Sequence, residues 1–489
     1  MAPVTRPLMD PAGIEELRAA LVAADYTGTG IANRLGAAAV QAIQRGDYRP
    51  ALRATEDRDP LATLIRLFIC GQSESESVVK AAVPVQAALF ERDGDRVRAA
   101  VELEPYGDWW VISDPSAALR PGVPLAPDHV LGVGGASSTL AQATIREPVD
   151  SALDLGTGCG VQALNLSGHA HSVTATDVSE RALRFAATTA ALNGLDWDLR
   201  LGDLAGPVRG ERFDLVVSNP PFVVGPGSFE GGATHTYRDS GRPGDEVCAE
   251  LVRLAPGLLA DGGTMQFLAN WAHVAGEDWE DRVNGWLAGT GLDAWVIQRE
   301  VSDPVAYVNL WLSDAGTADS SRRIEWLDWF DAHKIEGVGL GLITLRAGGH
   351  DDPTVRLEDL RQQVEQPFGE HVAAWFARQD WLRAHPFESL LGARLRAAEG
   401  LTLRQDAVRD GDGWQVVRQR LALTTGLHWV DDIDPVTLAL VGGCDGTLTL
   451  GDQVDLLALA NDIDSAVLAE AAGPLVAHLV ERGYLEPAA

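Results

Sequence analysis

Lysine is nearly absent from this chain of 489 residues, since Lys80 and Lys334 are the only two and the other basic residues are arginines. Acidic residues outnumber basic ones by 70 to 39, which gives a formal net charge of -31. A field of that sign repels phosphate backbones, and nucleic-acid binders usually carry a basic stripe instead. The composition therefore disfavours DNA and RNA as partners, although Arg-rich, Lys-poor usage is also typical of GC-rich bacterial genomes.

Cysteines and long apolar runs are also scarce. The four cysteines, Cys70, Cys159, Cys248 and Cys444, are far apart and form no metal-type pair, so we expect buried thiols and no metal site. No apolar run approaches the roughly 18 residues that a membrane span needs. The amino-terminal residues show no charged-then-apolar secretion pattern. We therefore expect a cytoplasmic protein with no membrane partner; its oligomeric state stays open.

The length predicts two to three domains. Residues 1–125 are predicted to form a mostly helical, winged-helix-like domain, residues 126–348 a catalytic domain, and residues 349–489 a second helical, winged-helix-like domain. The proline-rich segment 115–127 is predicted to be a linker. Between residues 429 and 489, 11 acidic residues accompany a single arginine, Arg482, so we expect a docking or structural role for that tail rather than DNA reading.

Hydrophobic periodicity predicts the outer elements. The expected helices are Leu61–Ile69, Val78–Glu91 and Val355–Leu382, and the expected strands are Arg96–Leu103, Trp109–Ile112 and Trp414–Leu421. The carboxy-terminal tail from Asp434 is expected to run helix, turn, helix, helix. No fixed-period repeat is present.

Strands and helices alternate in the central region, which predicts a doubly wound, mostly parallel sheet of the Rossmann-like kind. The seven expected strands are Ala152–Leu155, Ser172–Thr176, Asp198–Leu201, Phe213–Ser218, Thr264–Leu268, Ala294–Glu300 and Gly339–Arg346. The segment Gly316–Ser321 is expected to be a surface loop.

Two short motifs follow strands of that sheet. The run from Asp154 to Gly160 (DLGTGCG) joins a strand to a helix, and Asn219–Phe222 (NPPF) follows Phe213–Ser218. The glycines of the first motif let the backbone turn tightly and approach a ligand closely. Together the motifs resemble class I S-adenosylmethionine (SAM) dependent methyltransferases, in particular the release-factor glutamine methyltransferases and the "methyltransferase small" N-methyltransferases. NAD binding is the competing interpretation of the glycines with Asp177, and the NPPF motif argues against it.

The resemblance implies a set of cofactor-binding residues. Glycines of the first motif would hold the methionine part of SAM, and Asp154 would help to hold its amino-acid end. Asp177, which ends the second strand, would accept hydrogen bonds from the ribose hydroxyls. Asp203 would contact the adenine amino group, with apolar neighbours covering the ring. The full expected set is Asp154, Gly156, Thr157, Gly158, Gly160, Asp177, Val178, Asp203, Leu204 and Asn219.

The NPPF motif suits methylation of a planar nitrogen. The Asn219 carboxamide oxygen and the Pro220 carbonyl can each accept one N–H of an NH2 group, which turns the nitrogen lone pair toward the methyl donor. Pro221 stiffens the turn, and Phe222 can stack on the planar group. These four residues are the predicted catalytic set.

The substrate is less defined. A protein glutamine amide is favoured, and the alternatives are an exocyclic amine of an RNA or DNA base, a small-molecule amine, or a non-catalytic scaffold. Ser240 and Arg242 depart from the Asp-Gly-Gly-x-x-Gly run of the release-factor enzymes. The loop Val223–Gly244 is long enough to close over the site, with His235, Tyr237 and Arg238 as lining candidates. An RNA substrate would require an arginine cluster at the site, for which Arg238, Arg242 and Arg253 are the nearby candidates.

Overall fold

The computed structural model describes residues 5–84, 86, 88–120, 122–123, 125–227, 238, 240–314 and 320–488. The predictions for His235, Tyr237 and most of the loop Gly316–Ser321 fall outside these residues. The chain separates into two compact units, residues up to 141 with residues 147–360, and residues 142–146 with the chain from residue 361 onward. The predicted three-domain division stays a proposal. No helix in the described part of the chain is long and apolar enough to cross a membrane.

The N-terminal part of the first unit consists of short helices followed by short strands. Asp10 and Asp59 cap two of these helices by accepting backbone N–H bonds from Gly13 and Ala62, each ahead of a proline at the first turn. The helices are α1 (Pro11–Ala23), α2 (Gly28–Leu35), α3 (Ala37–Gln44), α4 (Arg49–Ala54), α5 (Pro60–Leu64, continued by a π-helical turn Ile65–Ile69) and α6 (Glu76–Ala82). The strands are β1 (Glu74–Ser75), β2 (Phe90–Asp93), β3 (Arg96–Ala99), β4 (Glu102–Tyr106) and β5 (Trp109–Ser113).

Two sequence predictions for this part are wrong. The expected helix Val78–Glu91 ends early, as α6, because Val83 precedes a proline and is extended, with φ -154° and ψ 149°. The expected strand Arg96–Leu103 is two strands: β3 pairs with β1 and β2, whereas β4 forms a hairpin with β5.

The central sheet has eight strands in the described residues, one more than expected. The elements are α7 (Gly135–Ala143), β6 (Val149–Leu155), α8 (Val161–Leu166), β7 (Ala170–Asp177), α9 (Glu180–Leu192), β8 (Asp198–Leu201), β9 (Phe213–Ser218), α10 (Glu246–Leu258), β10 (Leu259–Val274), α11 (Trp279–Leu287), β11 (Asp293–Ser302), α12 (Pro304–Asp314), α13 (Ser320–Ala332), β12 (Ile335–Arg346) and β13 (Val355–Asp359). The strand order is β13-β11-β12-β10-β9-β6-β7-β8, and only β12 runs antiparallel to its neighbours. The predicted Rossmann-like sheet is therefore confirmed.

The eighth strand corrects a prediction. Residues Val355–Asp359 pair in parallel with β11, where the sequence analysis expects the start of a long helix. Val355 and Leu357 alternate with polar residues, which is a strand period rather than a helical one. The helix of this region begins only at Phe368.

The sheet buries a different core on each face. On one face, sheet residues such as Ala152 and Val217 pack with α8, α9 and the N-terminal helices. On the other face, Leu153 and Val216 pack with α10 and α11. Since β6 pairs with β7 on one side and with β9 on the other, the strand order reverses between β6 and β9. In open α/β sheets, ligands bind outside the carboxyl ends of the strands at such a reversal.

The second unit is a mixed α/β unit with its own core. Its helices are α14 (Phe368–Ala384), α15 (Phe387–Leu391), α16 (Pro435–Gly443), α17 (Leu450–Asn461) and α18 (Ser465–Arg482). Its strands are β14 (Arg394–Ala397), β15 (Leu401–Asp410), β16 (Gly413–Leu423), β17 (Val430–Asp432), β18 (Asp445–Thr449) and β19 (Leu485–Pro487). The expected strand Trp414–Leu421 lies within β16. The tail has the expected three helices, with the short strand β18 between the first two.

Candidate functional site

A cavity of about 500 Å³ opens at the carboxyl ends of β6, β7, β8 and β9. It therefore lies at the strand-order reversal. Nine of the thirteen predicted site residues line it: Gly156, Thr157, Gly158, Asp177, Val178, Asp203, Leu204, Asn219 and Pro221. The other four, Asp154, Gly160, Pro220 and Phe222, are not on its wall.

The glycine loop presents bare backbone to this cavity. Gly156 and Gly158 have φ values of +75° and +57°, and a Cβ on either would meet nothing within 4 Å. The amides of Gly156 and Thr157 both donate to the Thr176 carbonyl at 2.9 Å, which fixes the turn against β7. A left-handed backbone with open space beside it lets a ligand come closer than any side chain would allow.

Gly160 has a different role. Its φ is +93°, and a Cβ there would lie 2.6 Å from the Trp197 ring. This glycine is needed for packing at the start of α8.

Asp154 lies beneath the loop and is fully buried. Its Oδ2 atom accepts hydrogen bonds from the Thr157 hydroxyl at 2.6 Å and from the Ala163 amide at 3.1 Å. Its Oδ1 atom has no hydrogen-bond partner among the described residues. Burial raises the pKa of Asp154 to about 7. Asp154 therefore shapes the loop from below, and direct contact with a cofactor stays a prediction.

Asp177 ties the same loop to β7 from the cavity wall. Its Oδ2 atom accepts from the Gly158 amide at 2.9 Å, and its Oδ1 atom accepts from the Ser179 amide at 2.8 Å. Burial raises the pKa of this carboxyl, against the lowering effect of those backbone donors. Each carboxylate oxygen can accept a second bond, so Asp177 can still receive hydroxyl groups from a ligand.

The far wall combines a charged pair with two apolar side chains. Arg242 donates to Asp203 Oδ2 at 2.9 Å, and its Nε atom lies 2.5 Å from a Glu250 carboxylate oxygen. Val178 is 58% exposed, although it is apolar. With Leu204 it offers the cavity an apolar surface that suits a flat ring.

Asn219 lines the cavity and carries an unused hydrogen-bond acceptor. Its Oδ1 atom is buried and has no hydrogen-bond partner among the described residues. Buried polar atoms in native structures are nearly always paired, so this oxygen retains the capacity to accept a hydrogen bond. Pro221 lines the cavity beside it. Phe222 packs edge-on against Trp311, with ring centroids 6.1 Å apart, and its stacking on an acceptor stays a prediction.

Comparison with known families places this cavity in context. Residues 132–277 match the family model described as methyltransferase small domain. This region of the chain is similar to that methyltransferase family, which confirms the predicted resemblance. Residues 23–100 and 373–487 match two models described as domains of unknown function, DUF7059 and DUF7782.

Curated relatives match mainly the region of the methyltransferase small domain. The ribosomal RNA small subunit methyltransferase C of Salmonella arizonae is 31% identical over 170 residues, 34% of this chain and 44% of that protein. The ribosomal protein uL3 glutamine methyltransferase of Bradyrhizobium diazoefficiens is 32% identical over 33% of this chain and 53% of its own length. The release factor glutamine methyltransferase of Deinococcus radiodurans is 35% identical over 28% and 51%. The chain thus spans about half the length of these relatives.

Solved structures also match part of the chain. A 16S rRNA methyltransferase of T. thermophilus in complex with AdoMet and guanosine is 20% identical, and the match covers 40% of this chain and 53% of that one with a TM-score of 0.24. A methyltransferase from Pyrococcus furiosus is 17% identical over 43% of this chain and 82% of that one, with a TM-score of 0.27.

One wall of the cavity was not predicted. Residues 128–132 line it, and all but the last of them precede the residues that match the methyltransferase small domain. The hairpin β4–β5 holds this segment, because Val130 donates its amide to Asp114 Oδ2 and Val133 donates to Glu104 Oε1, both at 2.9 Å. Burial raises the pKa of Glu104 to about 7. The partners are 16 and 29 residues apart in the chain, so no local pattern reveals the contact.

The three arginines named for an RNA substrate do not form an exposed cluster. Arg238 is 1% exposed and donates to the Trp311 carbonyl at 2.8 Å. Arg242 is paired with two carboxylates, and Arg253 is exposed on α10. The charge of Arg242, the one of the three that lines the cavity, is thus balanced by Asp203 and Glu250.

Proposed function

We propose that this chain is a cytoplasmic SAM-dependent N-methyltransferase whose acceptor is a protein side-chain amide, glutamine above all. The observation that carries the proposal is the Asn219 Oδ1 atom, a buried acceptor that lacks a partner among the described residues on the wall of the cavity. An amide NH2 group supplies the complementary donor.

The residues of the cavity fit the cofactor. Gly156 and Gly158 leave space that any side chain would fill, and Asp177 has acceptor capacity on the same wall. Val178 and Leu204 offer an apolar surface. The carboxylates in and beneath the wall favour a positively charged ligand. When bound, SAM would supply an electrophilic methyl group.

The chain's own residues would then orient the acceptor. Asn219 Oδ1 accepts one N–H of the planar nitrogen, and the Pro220 carbonyl is the proposed acceptor of the other. Holding both N–H bonds fixes the plane of the amide and stabilises the positive charge that grows on nitrogen. Pro221 limits the freedom of the turn, so this arrangement exists before the acceptor arrives.

The electrostatics favour an amide over a nucleic-acid base. RNA and DNA bring phosphates, which require unpaired arginine or lysine side chains around the site. Arg238 is buried and Arg242 already serves Asp203 and Glu250. In the sequence, residues 228–237 contain neither arginine nor lysine. A neutral glutamine needs no such cluster.

A labelling experiment tests the acceptor. The protein is incubated with radiolabelled SAM in three separate reactions. One contains purified bacterial release factor, one ribosomal protein uL3, and one small-subunit ribosomal RNA. We expect label in a protein, and mass spectrometry should place the methyl group on a glutamine side chain.

Label confined to the RNA would overturn the choice of acceptor and leave the N-methyltransferase assignment standing. The Asn219→Ala variant serves as the control that any label depends on this site. Calorimetry with SAM alone covers the remaining alternative, because a non-catalytic scaffold with a decayed pocket would show no binding.

A further inference from the structure

The backbone that follows the NPPF motif is held by side chains from far along the chain. The Val224 amide donates to the Tyr307 hydroxyl at 2.9 Å, and the Val224 carbonyl accepts from the Trp326 indole N–H at 3.0 Å. Tyr307 belongs to α12 and Trp326 to α13, the two helices between β11 and β12. We call Tyr307 and Trp326 the Val224 clamp.

Tyr307 links three elements. It is fully buried, and its hydroxyl also accepts from the Asn270 side-chain amide of β10 at 2.8 Å. Burial raises the pKa of Tyr307 well above its usual range, so the hydroxyl stays neutral. A single oxygen therefore joins the segment after the motif, the central sheet and α12.

Neighbouring contacts hold the same segment against the same helices. Phe222 packs on Trp311 of α12. A Cβ at Gly225 would lie 2.9 Å from the Trp326 indole nitrogen, so the backbone there lies directly on the ring. The motif is thus backed by α12 and α13 on one side and lines the cavity with Asn219 and Pro221.

The motif cannot hold itself in place. Pro220 and Pro221 have no N–H, so two consecutive residues cannot be fixed by donating hydrogen bonds. Upstream, Ser218 is held by its place in β9 and by its hydroxyl, which donates to the Leu155 carbonyl at 2.8 Å. Directly downstream of the motif, Val224 is held at both backbone groups, because its N–H and its carbonyl each make a described hydrogen bond to a side chain.

We propose that Tyr307 and Trp326 are positioning residues for methyl transfer, which hold the turn from Asn219 to Val224 so that Asn219 Oδ1 faces the acceptor nitrogen. This inference rests on the proposed function of Asn219. It assigns a role to α12 and α13, which lie beyond the residues that match the methyltransferase small domain. Small displacements of positioned groups lower turnover strongly, so the clamp acts on the reaction without touching the reactants.

The test compares three conservative variants. Tyr307→Phe removes the hydroxyl. Trp326→Phe removes the indole N–H and keeps the test decisive should Tyr307→Phe fold poorly. Tyr26→Phe is the matched control: Tyr26 is fully buried, and its hydroxyl donates to a backbone carbonyl, that of Leu103, at 2.7 Å. All three are measured for unfolding temperature, SAM affinity, hydrogen exchange and transfer to purified bacterial release factor.

We expect the clamp variants to exchange the Val224 amide at least about tenfold faster, with SAM affinity within about twofold of wild type. Turnover on release factor should fall about tenfold while the KM for SAM stays unchanged. Tyr26→Phe should change neither exchange at Val224 nor turnover beyond what its unfolding temperature accounts for.

The inference is overturned if the clamp variants exchange Val224 at the wild-type rate, or if they lose no more turnover than Tyr26→Phe. A loss of SAM affinity equal to the loss of turnover would also overturn it, since that indicates general damage. If wild-type protein methylates no acceptor, the proposed function fails, whereas hydrogen exchange still decides whether the clamp holds Val224.

Discussion

The cavity has two sides that treat their polar groups in opposite ways. On the donor side, formed by the Gly156–Gly158 loop, Asp177 and Asp203, the wall carboxylates already have protein partners: Gly158 and Ser179 for Asp177, and Arg242 for Asp203. On the acceptor side, formed by Asn219 and Pro221, the carboxamide oxygen has none among the described residues. The satisfied groups shape the donor side before any ligand binds, and the proposed function assigns the unsatisfied group on the acceptor side to the substrate.

The difference has a thermodynamic meaning. A buried acceptor without a partner costs about 1–3 kcal/mol of folding stability. Under the proposed function, Asn219 is therefore retained at the expense of stability, which is typical of a residue kept for activity. On the donor side, activity and stability coincide, because the same bonds build the loop and the pocket. Substitutions on the two sides should consequently separate into different classes.

The largest effect is expected at Asn219. Asn219→Ala should lower turnover by about a hundredfold or more, because one preorganised polar contact to the reacting group is lost. SAM affinity should stay nearly unchanged. The unfolding temperature should be equal or higher, because the removed oxygen makes no hydrogen bond in the folded protein. Steady-state kinetics, calorimetry and thermal unfolding measure the three quantities.

Asn193→Ala is the matched control. The Asn193 side chain makes three hydrogen bonds to the backbone, to both polar groups of Trp110 and to the Thr189 carbonyl. Its loss should lower the unfolding temperature without a hundredfold effect on turnover. If Asn219→Ala left turnover unchanged, Asn219 would have no part in methyl transfer, and the acceptor side would lose its proposed function.

A smaller effect is expected at Asp177, and it concerns SAM binding rather than turnover. Asp177→Ala should weaken SAM binding by roughly 10- to 100-fold, as expected when a charged acceptor loses one or two hydrogen bonds to a ligand. Turnover at saturating SAM should change much less. Calorimetry gives the dissociation constant directly.

Asp214→Ala is the control for lost structural bonds. Asp214 also accepts a backbone amide, that of Ser151 at 2.9 Å, together with the Ser151 hydroxyl, but near the amino ends of β6 and β9. An Asp177→Ala dissociation constant equal to that of Asp214→Ala would show that Asp177 only braces the sheet.

The sequence predicts the donor side better than the surroundings of the acceptor side. Strand ends of a parallel sheet converge at one edge, so the positions of Gly156, Asp177 and Asp203 follow from the order of strands and helices. The strands Asp198–Leu201 and Phe213–Ser218 have the predicted bounds. Asn219 also follows, because it comes directly after one of these strands.

The remaining features depend on partners far along the chain. Phe222 packs on Trp311, 89 residues away in the chain, because α12 lies behind the motif, and no local pattern predicts this contact. The wall at residues 128–132 depends on Glu104 and Asp114, and periodicity within a short window cannot show such pairings. The strand β13 is a different case. Its alternating pattern is visible in the sequence, and the prediction of a helix there does not follow that pattern.

The smallest expected effect concerns Asp154. Unlike the carboxylates on the wall of the donor side, it has an oxygen, Oδ1, without a hydrogen-bond partner among the described residues. Its pKa of about 7 lies above the unfolded value near 4, so between those values the folded protein keeps a proton that the unfolded chain releases. Stability from this group is therefore present at low pH and falls by about 1.4 kcal/mol per pH unit toward pH 7, then levels off. Asp154→Asn lacks this dependence, so the wild-type minus variant difference in unfolding free energy isolates it. Urea unfolding from pH 5 to pH 8, with the two units fitted separately, measures that difference.

Saturating SAM sharpens the same measurement. A cationic group placed near Oδ1 favours the carboxylate and should move the break in the curve about one pH unit lower. A flat difference curve would show that Asp154 is ionised throughout in the folded protein. A break that SAM leaves in place would mean that Asp154 supports the loop without sensing the ligand, and its direct contact with the cofactor would be ruled out.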